Sequence, residues 1–323
     1  MGIDSGNLNS FAAFAAIVSR AANQTHRDGL PLAAPRAGVD TNRSISVITC
    51  SRDETAATRI REHYEHLLAG MQFEIIQITD ARSLCEGYNK GFARSSGEVV
   101  IFSHDDIRIV SSDFAERLLA HLACYDLVGV AGTSRLMNPG WFFSGWPHIH
   151  GIVAHRLPNN RGIKCDCFGP WAGAPIIQAI DGLFIAATRE VCAAIPFDEV
   201  TFDGFHFYDL DFSFRAFEAQ FRTAIAWDIL IVHDSYGSLD LTWSHYAQKF
   251  ADKYRDRIPV QHNRNPQLAA AMFATEAECA EFHARLCVTL QSELGSRRAE
   301  PRRNELCHCG SGRKYKHCHG KMA

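Results

Sequence analysis

Three short runs of acidic and imidazole side chains stand directly behind apolar, strand-like segments, where side chains are free to do chemistry. The first is Ser103-His104-Asp105-Asp106, closing the apolar run 98–103. Adjacent carboxylates repel unless something positive sits beside them, and a divalent cation with a diphosphate is one solution. Hard oxygen ligands of this kind suit Mg²⁺ or Mn²⁺. A pair of helix-capping aspartates on a loop is the plainer alternative. The second run is Phe207-Tyr208-Asp209-Leu210-Asp211, entering a helical pattern. One aspartate there can cap the helix while the other faces a cleft, and a general base needs one ionised carboxylate in reach of a hydroxyl. The third is His233, followed by Asp234 at the end of another apolar run.

A fourth group lies at the end of the chain, where residues 305–321 read ELCHCGSGRKYKHCHGK. Cys-x-Cys followed by Cys-His supplies the four ligands of a closed tetrahedral Zn²⁺ site, and Gly310-Ser311-Gly312 supplies the turn between them. So short a segment has no core to fold around without a metal. His308 and His317 compete as ligands. Cys165-Asp166-Cys167 has no partner pair nearby, which argues against a second zinc site.

The elements that must carry these groups can be read from periodicity. Residues 1–42 give a short helix and a linker. Ser44–Cys50 is a buried strand, followed by a helix with Ala57, Ile60, Tyr64, Leu67 and Leu68 on one face and Gly70 as its stop. Phe73–Thr79 is a second strand, and Ser83 with Glu86 forms a capping box for a helix reaching about Arg94. Residues 98–103 are a third strand, and Asp113 with Glu116 opens a helix carrying Phe114, Leu118 and Leu122. Residues 126–132 form a strand, whereas 133–178 lack periodicity and read as a lid or acceptor-binding loop. Strands are expected at Asp181–Ala187 and Thr223–Val232, and helices at 209–220, around Trp243–Tyr254 and at 276–294. Alternating strands and helices predict an α/β fold with a mainly parallel sheet, whose ligands gather at the carboxyl ends of the strands.

The 323 residues are 46% hydrophobic and 21% charged, which excludes a disordered or fibrous chain. Residues 296–323 hold eight Lys and Arg against Glu300 and Glu305, a surplus of six positive charges. The remainder therefore carries minus nine of the net −3, an acidic body that argues against nucleic acid as partner. The apolar run 11–18 is too short to span a membrane, and it follows an acidic start unlike a signal peptide. Eleven scattered cysteines do not make a secreted disulfide scaffold, so a reducing cytoplasm is the expected location.

In order and spacing, five blocks of this chain resemble inverting, family-two-like glycosyltransferases of the GT-A fold. SVITCSRDE (46–54) looks like the opening strand and nucleotide loop, and FEIIQITD (73–80) like the second strand, with its terminal acid. GYNKGFARSSGEVVIFSHDD (87–106) is similar to the helix and strand leading to the metal-binding Asp motif. FDGFHFYDLDFSFRA (202–216) resembles the segment with the catalytic base, and IVHDSYGS (231–238) the late metal-binding His. Two positions depart from the pattern: Ser103 or His104 stands for the first Asp of the metal motif, and Tyr208 where a Glu is common.

The resemblance implies a GT-A body over 43–260, after an N-terminal extension at 1–42 and before a helix and linker at 261–300. It implies Asp209 as catalytic base and Asp105, Asp106 and His233 as ligands of Mn²⁺ or Mg²⁺. Thr49, Ser51, Arg52, Asp53, Asp80, Asn89, Lys90, Asp105, Asp181 and Asp211 are implied as the nucleotide-sugar contacts. The implied reaction moves a sugar from a nucleotide diphosphate sugar, UDP-linked by the same resemblance, to a glycan or other acceptor hydroxyl. A non-catalytic sugar-nucleotide or glycan-binding protein is the alternative, and Asp209 favours the enzyme. Residues 301–323 resemble the SEC-C zinc motif. This implies Cys307, Cys309, Cys318 and His319 as the Zn²⁺ ligands and a protein partner for the tail.

Overall fold

The computed structural model describes residues 14–16, 43–169, 176–235, 237, 239–259, 269–296, 304 and 314–317. β1 (Ile45–Cys50) runs between β2 (Phe73–Ile78) and β3 (Val99–Ser103), parallel to both. β10 (Phe184–Thr188) lies antiparallel between β3 and β5 (Leu127–Gly129), and β11 (Thr223–Ile225) closes the sheet parallel to β5. Five strands thus share one direction, and the expected α/β class with a mainly parallel sheet is present. Its central strands β1, β3 and β10 are buried almost throughout, as their unbroken apolar runs require.

Helices cover this sheet. α1 (Glu54–Leu67) is capped by Asp53, whose carboxylate accepts from Thr55 N and Ala56 N, and buries Ala57, Ile60 and Tyr64. The chain then turns back at Gly70, where φ is +86° and a Cβ would be strained. α2 (Leu84–Arg94) is capped by the Ser83 hydroxyl, but only half of the expected box forms: Glu86 accepts from Arg82 N instead of Ser83 N. α3 (Phe114–Cys124) buries Phe114, Leu118 and Leu122. Asp113 makes no cap there because its carboxylate pairs with Arg117 at 2.7 Å.

A second sheet, absent from the periodicity reading, takes its two longest strands from the segment expected to be a loop. β4 (Ile107–Ile109), β6 (Ala131–Thr133), β7 (Ile149–Arg156), β8 (Ile163–Gly169), β9 (Ala179–Ile180), β12 (Ile231–His233) and β13 (Ala269–Phe273) form it. β7 and β8 are buried on both faces, so neither alternates, and Gly, His and Cys at their inner positions hide the strand pattern. The strands expected at 126–132 and 223–232 each divide into two, one half per sheet. The last helices are α4 (Arg189–Ala194), α5 (Tyr208–Glu218), α6 (Leu241–Lys253) and α7 (Glu276–Ser296). Because β13 pairs with β8 and α7 buries Cys279, His283, Leu286, Cys287 and Leu290, the packed body continues past the expected boundary at 260. Phe14 is also buried, edge-on to Phe282 of α7 with ring centroids 4.9 Å apart, so this part of the expected extension belongs to the core.

Candidate active site

The carboxyl end of β3 delivers His104, Asp105 and Asp106 to the seam between the two sheets. His104 N is held by the Leu183 carbonyl at 3.1 Å, beside the start of β10. β12 pairs antiparallel with β4 so that His233 stands opposite Ile107, and Asp234 N bonds the Asp106 carbonyl at 2.9 Å. This register brings His233 Nε2 to 3.2 Å from Asp106 Oδ1. His104 Nδ1 approaches the same oxygen at 3.8 Å. Ligand atoms of His104, Asp106 and His233 all lie within 4.8 Å of one another. Burial would raise the Asp106 carboxyl, but hydrogen bonds from His233 and Ser235 outweigh it and hold the group ionised below the usual range. Burial likewise opposes charge on His233, yet Asp106 raises that imidazole above its ordinary value. His104 goes the other way, lowered by burial and by the neighbouring His233.

Asp105 is not part of this group. Its charge is felt by His104 and also by the Cys50 thiol at the end of β1, which burial, Asp105 and Asp80 together push up to about 12. The structure thus separates two residues that the sequence reading treats as joint ligands, and substitutes His104 for Asp105. Successive side chains after a strand point different ways, so one of two adjacent aspartates had to turn aside.

Phe207, in the left-handed region at φ +65°, turns the chain into α5 so that Tyr208 and Asp209 occupy its first turn. Asp209 is half-buried in a cleft of about 430 Å³, which His104, Trp141, His155, Asp181, Tyr208, His233 and Trp243 help to line. Burial and the Asp181 charge push its carboxyl up to about 7, while the backbone N–H groups of Leu210 and Gly182 only partly offset this. Asp209 makes no ion pair among the described residues, and no described lining residue is Lys or Arg. Gly182 is pressed against this turn: a Cβ there would lie 2.1 Å from the Tyr208 hydroxyl and 2.8 Å from Asp209 Cβ. Asp181 is anchored from both sides, accepting from Trp141 Nε1 at 2.8 Å and Leu183 N at 3.0 Å.

The expected donor contacts divide. Thr49 and Ser51 are buried at the end of β1, and the Thr49 hydroxyl has no hydrogen-bond partner among the described residues. Arg52 donates to the Ala81 carbonyl at 2.9 Å and lies 5.3 Å over the exposed Phe205 ring. Lys90 bridges Glu86 at 3.0 Å and the exposed Asp80 at 3.5 Å. By contrast, Asp53 is taken up in capping α1, and Asn89 clamps the 197–199 turn through Phe197 N, Phe197 O and Glu199. Asp211 points away from the cleft into the core, where Arg215, Lys253 and Tyr254 surround it. One α-helical turn has 3.6 residues, so two positions apart means nearly opposite faces.

Sequence reasoning passed over Tyr208 and His104 as departures, and did not register Gly182, Trp141 or His155. The usable signal was their position: each stands at the edge of an apolar run or among the aromatic residues of 133–178. The tail ligands Cys307, Cys309, Cys318 and His319 lie outside the described residues. Among the described residues, no helix is long and apolar enough to cross a membrane.

A family model described as "Glycosyltransferase like family" matches residues 46–257, and one described as "SEC-C motif" matches 303–321. Curated relatives include Protein translocase subunit SecA proteins. That of Albidiferax ferrireducens is 86% identical over 21 residues, 6% of this chain and 2% of its own length. That of Ectopseudomonas mendocina is 39% identical over 72 residues, 22% of this chain and 7% of its own. The chain therefore spans only a small part of these relatives. Among solved structures, a mannosyltransferase from Pyrobaculum calidifontis in complex with GDP-Man and Mn²⁺ is 14% identical, with TM-score 0.43 over 90% of this chain and 83% of that one. Glucosyl-3-phosphoglycerate synthase from Mycobacterium tuberculosis is 16% identical, with TM-score 0.42 over 71% and 87%. Both are too distant to carry an assignment.

Proposed function

The chain belongs to the glycosyltransferase-like family, and from that premise we propose that it transfers a sugar from a nucleotide diphosphate sugar to an acceptor hydroxyl, with inversion at the anomeric carbon. The observation that carries the reading is Asp209: a cleft carboxylate without a cation partner among the described residues, pushed up to about 7, beside the His104–Asp106–His233 corner. A value near the working pH is what a general base needs.

Asp209 takes the proton from the acceptor hydroxyl as its oxygen bonds to the anomeric carbon, and the bond from that carbon to the diphosphate breaks on the opposite side. Asp181 is the other lining carboxylate, and both its oxygens are held by Trp141 and Leu183, which suits it to support the cleft wall. Asp106 and His233, with His104, fit a divalent cation: one ionised carboxylate and two imidazoles aimed at a common point. Two nitrogen donors favour Mn²⁺ over Mg²⁺. When bound, such an ion offsets the charge developing on the departing diphosphate. Thr49, Ser51, Arg52, Asp80 and Asp105, at the ends of β1 to β3, and Lys90 of α2 are the side chains that would meet the nucleotide. UDP as that nucleotide rests on the sequence resemblance.

For the tail, we infer one Zn²⁺ on Cys307, Cys309, Cys318 and His319, in a module that docks a protein partner. The support is the ligand spacing together with the match to the SEC-C motif and to a short stretch of a translocase subunit. One zinc per full-length chain, lost in Cys307→Ser, would support it; zinc-free protein purified under reducing conditions would not.

The catalytic reading is tested by Asp209→Asn, with donor binding followed by calorimetry and transfer by single turnover. Retained donor affinity with lost transfer is expected. Equal transfer by variant and native protein would leave a sugar-nucleotide binder with another role.

A further inference from the structure

Tyr208 is buried and its hydroxyl has two hydrogen-bonding neighbours among the described residues: the Gly182 carbonyl at 3.0 Å and His104 Nε2 at 2.7 Å. A carbonyl can only accept, so the single phenolic proton goes to Gly182. If it went to His104 instead, two acceptor oxygens would face each other at 3.0 Å with no proton between them, and a buried acceptor left unpaired costs about 1–3 kcal/mol. Nε2 of His104 must therefore carry the hydrogen, and Nδ1 is the bare nitrogen. That nitrogen is the one directed at Asp106.

We infer that Tyr208 is a positioning residue: its hydroxyl, donating to Gly182, accepts the Nε2–H of His104 and so turns the bare Nδ1 toward Asp106 and His233. His104 thereby becomes the third protein donor for a divalent cation. A ligating histidine works only through its unprotonated nitrogen, and what bonds the other nitrogen decides which one that is. Tyr208 cannot easily swing away. Phe207 fixes the entry to α5, and the Tyr208 ring packs edge-on to Tyr88 with centroids 5.6 Å apart. Gly182 leaves room for the hydroxyl that any side chain would occupy.

The inference rests on the cation site of the proposed function but needs neither donor nor acceptor, so its test stands apart from transfer. In the metal-free full-length protein labelled with ¹⁵N-histidine, long-range correlation spectra read the His104 tautomer, the signal being identified by its loss in His104→Gln. Mn²⁺ affinity is then measured by calorimetry for the native chain, Tyr208→Phe, His104→Asp and the double variant. The Nε2–H tautomer is expected in the native chain. Tyr208→Phe should weaken Mn²⁺ about 10–100-fold, the usual effect of losing an outer partner. In the His104→Asp background Tyr208→Phe should cost nothing further, since a carboxylate has no tautomer to fix. An Nδ1–H tautomer in the native chain would overturn the inference, as would native Mn²⁺ affinity in folded Tyr208→Phe or an equal loss in both backgrounds. Should Tyr208→Phe fail to fold, the native tautomer decides alone.

Discussion

Asp209 and Asp211 stand two residues apart in the first turn of one helix, and their surroundings are opposite. Asp211 is fully buried, with Arg215 Nε at 2.8 Å, Lys253 Nζ at 2.5 Å and the Tyr254 hydroxyl at 2.6 Å. It ties α5 to α6. Among the described residues Asp209 has no cation partner, only backbone N–H groups and the like charge of Asp181, and it faces the cleft. A carboxylate surrounded by cations is spent on structure, whereas one that is left uncompensated is available to accept a proton. The side of a helix, not the motif, separates the two.

The comparison breaks most sharply on exchange of roles. Asp209→Asn should reduce single-turnover transfer by ~10²–10⁴-fold at unchanged donor affinity. The same change at Asp211 should act on stability, by about 1–3 kcal/mol, because the buried carboxylate's charged hydrogen bonds to half-buried Arg215 and Lys253 are weakened while Lys253 keeps Asp198. Denaturant unfolding and transfer assays on the pair separate the effects; a stable, inactive Asp211→Asn would reverse the assignment.

A pH profile sharpens the contrast. Because the Asp209 carboxyl titrates near 7, transfer should fall about tenfold for each unit below that value as the base becomes protonated. Stability should move the other way. A carboxyl raised from 3.8 to about 7 favours the folded state at low pH, and that contribution is lost as pH rises through 7. Asp209→Asn should therefore melt a few degrees above the native protein at pH 8, with the gain vanishing near pH 4. Equal melting shifts at both pH values would contradict an uncompensated Asp209. The smallest effect is expected from deleting 301–323, which should leave transfer to a small acceptor unchanged, since the family match to the catalytic body ends at 257.

Much of the main sheet was legible in the sequence because its strands are unbroken apolar runs bounded by helices with visible stops. The second sheet was not, for β7 and β8 carry Gly151, His150, His155, Cys165 and Cys167 where alternation would show. The acidic runs were legible as a site, but the direction of each side chain was not. Asp106 meets His233 and Asp105 does not join them, and only the β4–β12 register decides that. Tyr208 and His104 each looked like a lapse when read singly. Their pairing across 104 positions is a property of the folded chain.

The amide joining Gly182 and Leu183 is a flat, stiff plate. One edge is pinned through its carbonyl to Tyr208, the other through its N–H to Asp181, whose second oxygen holds the Trp141 indole. Tilting the plate would pull on both edges together. The aromatic wall of the cleft and the imidazole corner are thus geared through a single peptide unit, and neither can shift without the other feeling it.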